Sequence, residues 1–224
     1  MTKTFIDLTD KLPVSEVLVG IMRHTNIQNT DLLPQTPEET EKTERLLNAD
    51  KRHALKQSQT ALKLMMSDYL SAPAGSFRIG HDEYGAPVLL DPENLNVSVS
   101  RASGWTALAL SADSRIGIDI ETPETIDWRK MLAMTSDTEE AQLLSKYMES
   151  DRTLHPFYRA WTLKEAVMKT PGTGFAFGPK RICVPECIIS AHRSDAYIDI
   201  EAQSFLTVSF EEQNVIGAIA LTDF

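Results

Sequence analysis

Apolar residues along the first part of the chain predict a long helix followed by strands. A helix start is indicated at Pro37, with Thr36 in the capping position, and apolar residues then recur at helical spacing through 54–70. Three strands follow, separated by short polar breaks: 95–100, Trp105–Ser111 and Arg115–Glu121. Breaks this short predict that the three strands are antiparallel neighbours.

The second part of the chain repeats this order of helices and then strands. Ser136 and Glu139 form the start of a capping box for a helix through 148, and an amphipathic helix is predicted over 157–169. Strands are predicted at 196–200, 205–210 and 215–221. The expected fold class is therefore α+β, with two similar halves at residues 1–121 and 122–224, each a small antiparallel sheet with helices.

Composition and charge exclude some classes of protein. The chain has 224 residues, 42% of them hydrophobic, which is enough apolar material for a core. A formal net charge of −10 argues against a general nucleic-acid binder. The sequence contains no apolar run of about 20 residues and no signal-peptide pattern at its start, so we expect no membrane partner and a cytoplasmic protein.

The first group of residues that suggests chemistry is the strand ending in Asp119 and Glu121. Alternate side chains of a strand share a face, so the two carboxylates point the same way and Ile118 and Ile120 point the other way. Neighbouring carboxylates suit a hard divalent cation such as magnesium. Two solvated acids at an exposed strand end are the alternative interpretation.

The second group lies on the predicted helix 157–169. Trp161, Glu165 and Lys169 fall on one stripe at four-residue spacing, and Lys164 lies one step round the helix. An acid flanked by lysines is suited to act as a general base near an anionic substrate. A surface salt-bridge ladder is the alternative, although so large a side chain as Trp161 usually faces the interior.

Together the two groups resemble the motifs of the phosphopantetheinyl transferases that activate nonribosomal peptide synthetases and other carrier proteins. That family carries a Gly-Ile-Asp-Ile-Glu strand, here 117–121, and then a Trp-x-x-Lys-Glu-x-x-x-Lys helix, here 161–169. Phe157-Tyr158 and the glycines Gly172 and Gly174 also match the family. The strand 96–100 resembles its Asn-x-Ser-His-Ser strand, and the resemblance spans roughly 38–174.

The resemblance implies a magnesium-dependent transfer of the 4′-phosphopantetheine group of coenzyme A to a carrier-protein serine. Asp119, Glu121 and Glu165 would bind Mg²⁺, and Glu165 would also be the catalytic base. Lys169 and Lys164 would offset charge on the phosphoryl oxygens, and Lys164 would also contact the coenzyme. The family's fold implies two pseudo-twofold halves with the site in the cleft between them.

The resemblance also implies how the co-substrate coenzyme A is bound. Ser98 matches a serine that contacts the coenzyme, and Lys42 and Arg52 match basic residues that hold its phosphates. The implied partner is an acyl or peptidyl carrier protein, and the chain is expected to be a monomer.

The sequence departs from the family at two coenzyme-binding positions. Val99 stands where the family has a histidine, and Ala86 stands where it has the lysine of a Gly-Lys-Pro turn. Arg101, two residues after Val99, is a candidate substitute. A catalytically weakened or non-catalytic carrier-binding protein of the same fold, and a different metal-dependent phosphate-ester enzyme, are the alternatives. A working transferase is favoured because the five catalytic positions survive.

Overall fold

In a computed structural model, the chain divides into two compact units, Met1–Ala112 and Asp113–Phe224. The structure describes residues 5–11, 17–83, 85–91, 95–170 and 178–222. In both units helices and antiparallel strands form separate groups, so the predicted α+β class is confirmed.

Among its described residues, unit 1 contains a four-stranded antiparallel sheet, a two-stranded hairpin and two α-helices. These elements in chain order are β1 (Ile6–Asp7), β2 (Val17–Arg23), α1 (Pro37–Glu44), α2 (Ala49–Leu70), β3 (Arg78–His81), β4 (Pro87–Asp91), β5 (Asn96–Ala102) and β6 (Trp105–Ser111). The sheet has the strand order β1-β2-β6-β5, and the hairpin pairs β3 with β4.

The predicted start of the first helix is confirmed, but the long helical stretch is two helices. Thr36 Oγ1 accepts a hydrogen bond from the Glu39 amide at 3.2 Å, and Glu39 Oε2 accepts one from the Thr36 amide at 2.8 Å. This capping box starts α1. The chain then leaves the helix, and Asn48 Oδ1 accepts from the Lys51 amide at 2.9 Å to cap the start of α2.

Strand β2 is an element that the sequence did not predict. It lies between β1 and β6 in the sheet, and its residues are almost all buried. A strand covered on both faces has a continuous apolar run rather than an alternating one, which explains why no clear period was visible. The core of unit 1 forms where α2 packs on this sheet, through Met65 and Met66 against Met22 and Leu108.

Unit 2 contains a four-stranded antiparallel sheet with the strand order β7-β10-β9-β8. The helix predicted at Ser136 begins instead at Thr138 and is capped by Asp137, whose Oδ1 accepts from the Glu140 amide at 2.9 Å. The elements in chain order are β7 (Arg115–Glu121), α3 (Trp128–Thr135), α4 (Thr138–Asp151), α5 (His155–Lys169), α6 (Glu186–Ile189), β8 (Asp195–Ile200), β9 (Gln203–Glu212) and β10 (Val215–Thr222).

The partner of β7 corrects one prediction. β5 and β6 are antiparallel neighbours as expected, whereas β7 pairs with β10 and not with β6. Three residues, 112–114, are enough to carry the chain from one sheet to the other. The division between the units therefore lies after Ala112, ahead of β7, and not after Glu121.

Two further points concern the parts of the chain that the structure describes. None of their helices is both long enough and apolar enough to cross a membrane. The α5 helix ends at Lys169, and the predicted helix stop at Pro171 to Gly174 lies outside the described residues.

Candidate functional site

The residues of the two sequence motifs meet in unit 2, because α5 packs directly on the backbone of β7. A Cβ atom at Gly117 would lie 2.0 Å from the carbonyl oxygen of Ala166 and 2.8 Å from the amide nitrogen of Thr170. Only glycine allows a helix and a strand to approach so closely. Asp119 and Glu121 follow Gly117 at alternate positions, so they lie on the face of β7 that α5 covers.

The ion pair between Lys169 and Asp119 joins the end of α5 to β7. Lys169 Nζ donates to Asp119 Oδ1 at 2.6 Å and to the carbonyl oxygen of Ile118 at 3.3 Å. The Asp119 side chain is only 7% exposed, whereas that of Lys169 is 31% exposed. The lysine therefore compensates a buried carboxylate while its own ammonium stays accessible from solvent.

Two aromatic side chains of α5 hold the end of β7. Trp161 Nε1 donates to Glu121 Oε1 at 3.3 Å, and the indole stacks on Phe157 with ring centroids 6.5 Å apart. The Tyr158 hydroxyl accepts from the Glu124 amide and donates to the Glu124 carbonyl, both at 3.0 Å. The sequence indicated that Trp161 faces inward, but it gave no signal that Tyr158 holds the chain after β7.

Burial, and next the charge of Asp119, raise the pKa of two carboxyl groups of this site, those of Glu165 and Glu121. Burial, and next the negative charge of Asp119, raise the pKa of Glu165 to about 7, although Lys169 opposes the shift. Burial and Asp119 also raise the pKa of Glu121, against the hydrogen bond from Trp161 and the charge of Lys169. Glu165 is therefore poised to exchange a proton near neutral pH.

The three acids predicted to bind magnesium have suitable chemistry, and their side chains would need to turn toward one point to hold the ion. Oxygen ligands are those that Mg²⁺ prefers, and the charges of Asp119 and Glu121 both raise the pKa of Glu165, which places the three acids in one neighbourhood. Among the described residues, no three His, Cys, Asp or Glu side chains are grouped closely enough to hold a metal ion. Lys169 is the cation that contacts Asp119 in this arrangement.

Lys164 does not belong to this site, which corrects its interpretation as a catalytic and coenzyme-binding residue. Its side chain is 1% exposed, and its ammonium donates to Glu140 Oε2 at 2.5 Å. It also donates to the carbonyl oxygens of Thr135 and Pro179, each at 2.9 Å. Burial lowers the pKa of Lys164, and Glu140 opposes that shift. The lysine ties α5 to α4 and the end of α3, and has no donor left for a ligand.

The coenzyme-binding candidates of unit 1 lie on both faces of β5. Ser98 and Ser100 point to one face and are buried. Val99 and Arg101 point to the other face, toward α2, and Arg101 Nε donates to Ser58 Oγ at 2.6 Å. The structure therefore separates Ser98 from the proposed substitute Arg101 by the thickness of the sheet.

The two remaining coenzyme-binding candidates, Lys42 and Arg52, have different surroundings. Lys42 Nζ lies 2.8 Å from His81 Nε2 on the surface of unit 1. Arg52 donates through Nη1 to the carbonyl oxygens of Leu46 and Leu47, at 2.7 and 3.0 Å, and so holds the segment between α1 and α2. The sequence gave no signal for His81, because 39 positions separate it from Lys42.

Comparisons with known proteins agree with the site in unit 2. Residues 115–220 match the family model of the 4′-phosphopantetheinyl transferase superfamily. The chain is 27% identical over 141 residues to the 4′-phosphopantetheinyl transferase Sfp of Bacillus subtilis, which covers 63% of this chain and 62% of that protein. It is 33% identical over 101 residues to a putative 4′-phosphopantetheinyl transferase of Haemophilus influenzae, covering 43% and 41% of the two chains.

A mammalian relative is also named a phosphopantetheinyl transferase. The chain is 25% identical over 160 residues to the L-aminoadipate-semialdehyde dehydrogenase-phosphopantetheinyl transferase of Rattus norvegicus, covering 65% of this chain and 51% of the relative. The matches thus span about two fifths to three fifths of the length of these relatives. The matched region includes β7 and α5, the elements that carry the acidic site. Residues 115–220 of this chain are therefore similar to the 4′-phosphopantetheinyl transferase superfamily.

Proposed function

We propose that this protein is an enzyme that transfers the 4′-phosphopantetheine group of coenzyme A to a serine of an apo acyl or peptidyl carrier protein. The observation that carries the proposal is the set of Asp119, Glu121, Glu165 and Lys169, held together by β7 and α5 inside the region that matches the superfamily. Phosphoryl transfer depends mainly on positioning and on stabilising charge, and this set supplies both.

Glu165 is the proposed general base. Burial raises the pKa of its carboxyl group to about 7, so a large fraction is ionised near neutral pH and the carboxylate is a stronger base than an ordinary glutamate. It accepts the proton of the carrier serine. The serine oxygen forms a bond to the β-phosphorus of coenzyme A, and the bond from that phosphorus to the bridging oxygen breaks. Its electron pair leaves on adenosine 3′,5′-bisphosphate.

The acids of β7 and Lys169 are proposed to help neutralise the negative charge of the diphosphate. Asp119, Glu121 and Glu165 would hold Mg²⁺, which supplies positive charge to the phosphate oxygens when bound. The Lys169 ammonium, 31% exposed at its side chain, is available to the phosphoryl oxygens. The hydrogen bond from Trp161 keeps Glu121 oriented toward α5. Lys164 is proposed to support α5 through its ion pair with Glu140 and to take no part in the chemistry.

Mass spectrometry of an apo carrier protein tests this function. Incubation with the purified protein, magnesium and coenzyme A is expected to add the mass of one phosphopantetheine group, and chelation of magnesium is expected to stop the addition. Glu165→Gln removes the base and should slow the transfer about 100- to 10,000-fold.

The matched control is Glu149→Gln on α4, which makes the same change at an exposed position, with a side chain that is 66% exposed. It should leave the rate within about twofold. No mass gain with the unmodified protein, or an equal rate for Glu165→Gln and Glu149→Gln, would contradict the proposal.

A further inference from the structure

A groove between α3 and α4 of unit 2 is lined by residues that have no part in the proposed chemistry. Its volume is about 700 Å³, enough to hold a small organic molecule. Ala141 lines it from α4, and Leu132 and Ala133 line it from α3. The groove is therefore a candidate binding site apart from the acids of β7 and α5.

The first sign of a ligand is a buried hydroxyl group in the wall of this groove. Ser136, the residue that follows α3, lines the groove and is only 4% exposed. Within the described ranges its Oγ has no hydrogen-bond partner. Ser145 Oγ, in contrast, donates to the carbonyl oxygen of Ala141 at 2.7 Å. Buried polar groups nearly always have a partner, and a bound molecule can supply one to Ser136 after rotation about its single side-chain torsion.

The second sign is a pair of lysines without an acidic partner. Lys146 and Lys180 line the groove and are exposed, and in the part of the chain that the structure describes neither pairs with a carboxylate. The acids of the groove are already engaged, since Asp137 caps α4 and Glu149 Oε1 lies 3.6 Å from Arg129 Nη2. The uncompensated charge is therefore positive and favours an anion.

The same acids limit the charge of that anion. A ligand with several negative charges, such as a phosphate ester, would be repelled by the carboxylates of Asp137 and Glu149. The apolar surface of Leu132, Ala133 and Ala141 adds a preference for an aliphatic chain, because each buried methylene group strengthens binding about threefold to fourfold. The lining thus fits one negative charge attached to a short apolar chain.

The backbone that carries Ser136 and Lys180 is held in place before any ligand binds. The buried ammonium of Lys164 donates to the carbonyl oxygens of Thr135 and Pro179, each at 2.9 Å. These two residues directly precede Ser136 and Lys180, so one nitrogen keeps both segments of the groove close to one another. A wall that is already fixed loses little entropy when a ligand binds.

We propose that this groove binds a monocarboxylic acid with a short aliphatic chain. The carboxylate pairs with the ammonium of Lys180 and accepts a hydrogen bond from the Ser136 hydroxyl, while Lys146 adds positive charge. The chain lies on Leu132, Ala133 and Ala141. This site is separate from the acidic site and does not depend on the proposed function.

A titration of the ligand-free protein followed by amide NMR tests the site, with sodium hexanoate as the probe. Hexanoate should shift the amide signals of residues 132–146 and of Lys180, with a Kd of about 1 mM or tighter. Butyrate, two methylene groups shorter, should bind about tenfold more weakly. Hexylamine has the opposite charge and should not bind measurably. No hexanoate binding in this region, or equal affinity for hexylamine, would overturn the proposal.

Lysine variants test whether the groove or the general charge of the protein attracts the acid. Lys180→Met should weaken hexanoate binding about tenfold, and Lys146→Met about threefold. The matched control is Lys130→Met, the same change at an exposed position of α3 that does not line the groove, and it should leave the Kd within about twofold. Equal effects of Lys130→Met and Lys180→Met would refute a specific site.

Ser136→Ala separates a ligand-binding hydroxyl from a structural one. It should weaken hexanoate binding about tenfold, whereas the thermal unfolding temperature of the ligand-free protein should stay unchanged or rise, because the hydroxyl has no partner to lose. A lower unfolding temperature with an unchanged Kd would overturn the role of Ser136. These measurements use neither coenzyme A nor a carrier protein, so their outcome is independent of the transferase function.

Discussion

The two units use the same device to anchor their long helices. In unit 1, Lys63 of α2 pairs with Glu39 of α1 at 2.6 Å and donates to the Pro34 carbonyl at 3.0 Å. In unit 2, Lys164 of α5 pairs with Glu140 of α4 at 2.5 Å and donates to the carbonyls of Thr135 and Pro179. In each case the glutamate lies in the first turn of the preceding helix, where its negative charge also favours the helix dipole.

The units differ in how closely the long helix approaches its sheet. A Cβ atom at Gly20 of β2 would meet side-chain atoms, Tyr69 Oη at 2.8 Å and Met65 Sδ at 3.2 Å. A Cβ atom at Gly117 of β7 would meet the backbone carbonyl of Ala166 at 2.0 Å. Side-chain ends can move, whereas a helix backbone cannot move without shifting the helix.

This difference matches what each unit contributes. The acids on β7 and α5 must hold their relative positions for chemistry, so direct backbone contact suits unit 2. The coenzyme-binding candidates Lys42 and Arg52 of unit 1 extend from its helices and place no such demand on the approach of α2 to the sheet. The two units thus share an anchoring device but differ in how rigidly the long helix contacts its sheet, and four predictions test that view.

The largest expected effect is the loss of a buried lysine. Lys164→Met and Lys63→Met should each lower the free energy of unfolding by about 3–5 kcal/mol, because each leaves a buried glutamate uncompensated. Chemical denaturation measures the change. Lys146→Met, at an exposed position on α4, is the control and should change the free energy by less than about 0.5 kcal/mol. If only one of the two variants lost unfolding free energy, the two lysines would not anchor their helices in the same way.

The second effect concerns His24, a buried histidine of unit 1 that accepts or donates a 2.8 Å hydrogen bond with Thr106 Oγ1. Burial, and then the charges of Arg101 and His53, lower its pKa from 6.5 to about 4. The unfolded chain therefore binds a proton at higher pH than the folded protein, so this stabilisation is complete above pH 6.5 and is lost as the pH falls toward 4.

The unfolding free energy of the unmodified protein should thus fall on acidification relative to that of His24→Gln, by up to about 3 kcal/mol. Denaturation at pH 7, 5.5 and 4 measures the difference, and comparison with the variant cancels the contributions of other groups. Parallel pH profiles for the two proteins would contradict the prediction.

The third effect tests the glycine contacts directly. Gly117→Ala should destabilise the protein by about 2–3 kcal/mol, since the added methyl group meets a backbone carbonyl. Gly20→Ala should cost about 1 kcal/mol, because the side chains around it can give way. Thermal denaturation of the two variants makes the comparison, and equal costs would show that the two helices approach their sheets with equal rigidity.

The smallest effect is expected at the hydrogen bond between Trp161 and Glu121. Trp161→Phe keeps an aromatic ring for Phe157 to stack on but removes the indole donor, at an expected cost of about 0.5–1.5 kcal/mol. The pKa of Glu121 should rise further, because the hydrogen bond now lowers it. Carboxyl titration followed by NMR would detect the shift, and an unchanged pKa would show that the bond does not orient Glu121.

The sequence predicted most of the acidic site because the residues of each motif lie close together along a single strand or a single helix. Alternation along β7 placed Asp119 and Glu121 on one face, and four-residue spacing along α5 placed Trp161, Glu165 and Lys169 on one stripe. The role of Lys164 was not predictable in this way. Its partner Glu140 is 24 positions away. The spacing of residues along α5 does not show which other helix packs against the side of α5 that carries Lys164.

Strand pairing shows the same limit. Alternation identified β5, β6 and β7 as strands, but it defines the faces of a strand and not its neighbours, so β7 was assigned to the wrong sheet. β2 was missed because burial on both faces removes the alternation that marks a half-exposed strand. The contact between Lys42 and His81 likewise joins two elements that meet only in the folded chain.

The pairing of β7 with β10 has a consequence for the order in which the chain folds during its synthesis. β7 lies at the edge of its sheet, and its register with β10 joins Ile116 to Leu221 and Glu121 to Ile216. While the ribosome is still making the segments in between, the strand that carries Asp119 and Glu121 has no sheet partner to hold it. The intervening loop must close late, at an entropic cost that grows slowly with its length. The nascent chain can thus bury the core of unit 1 early, whereas the acids come to order only after β10 has been made.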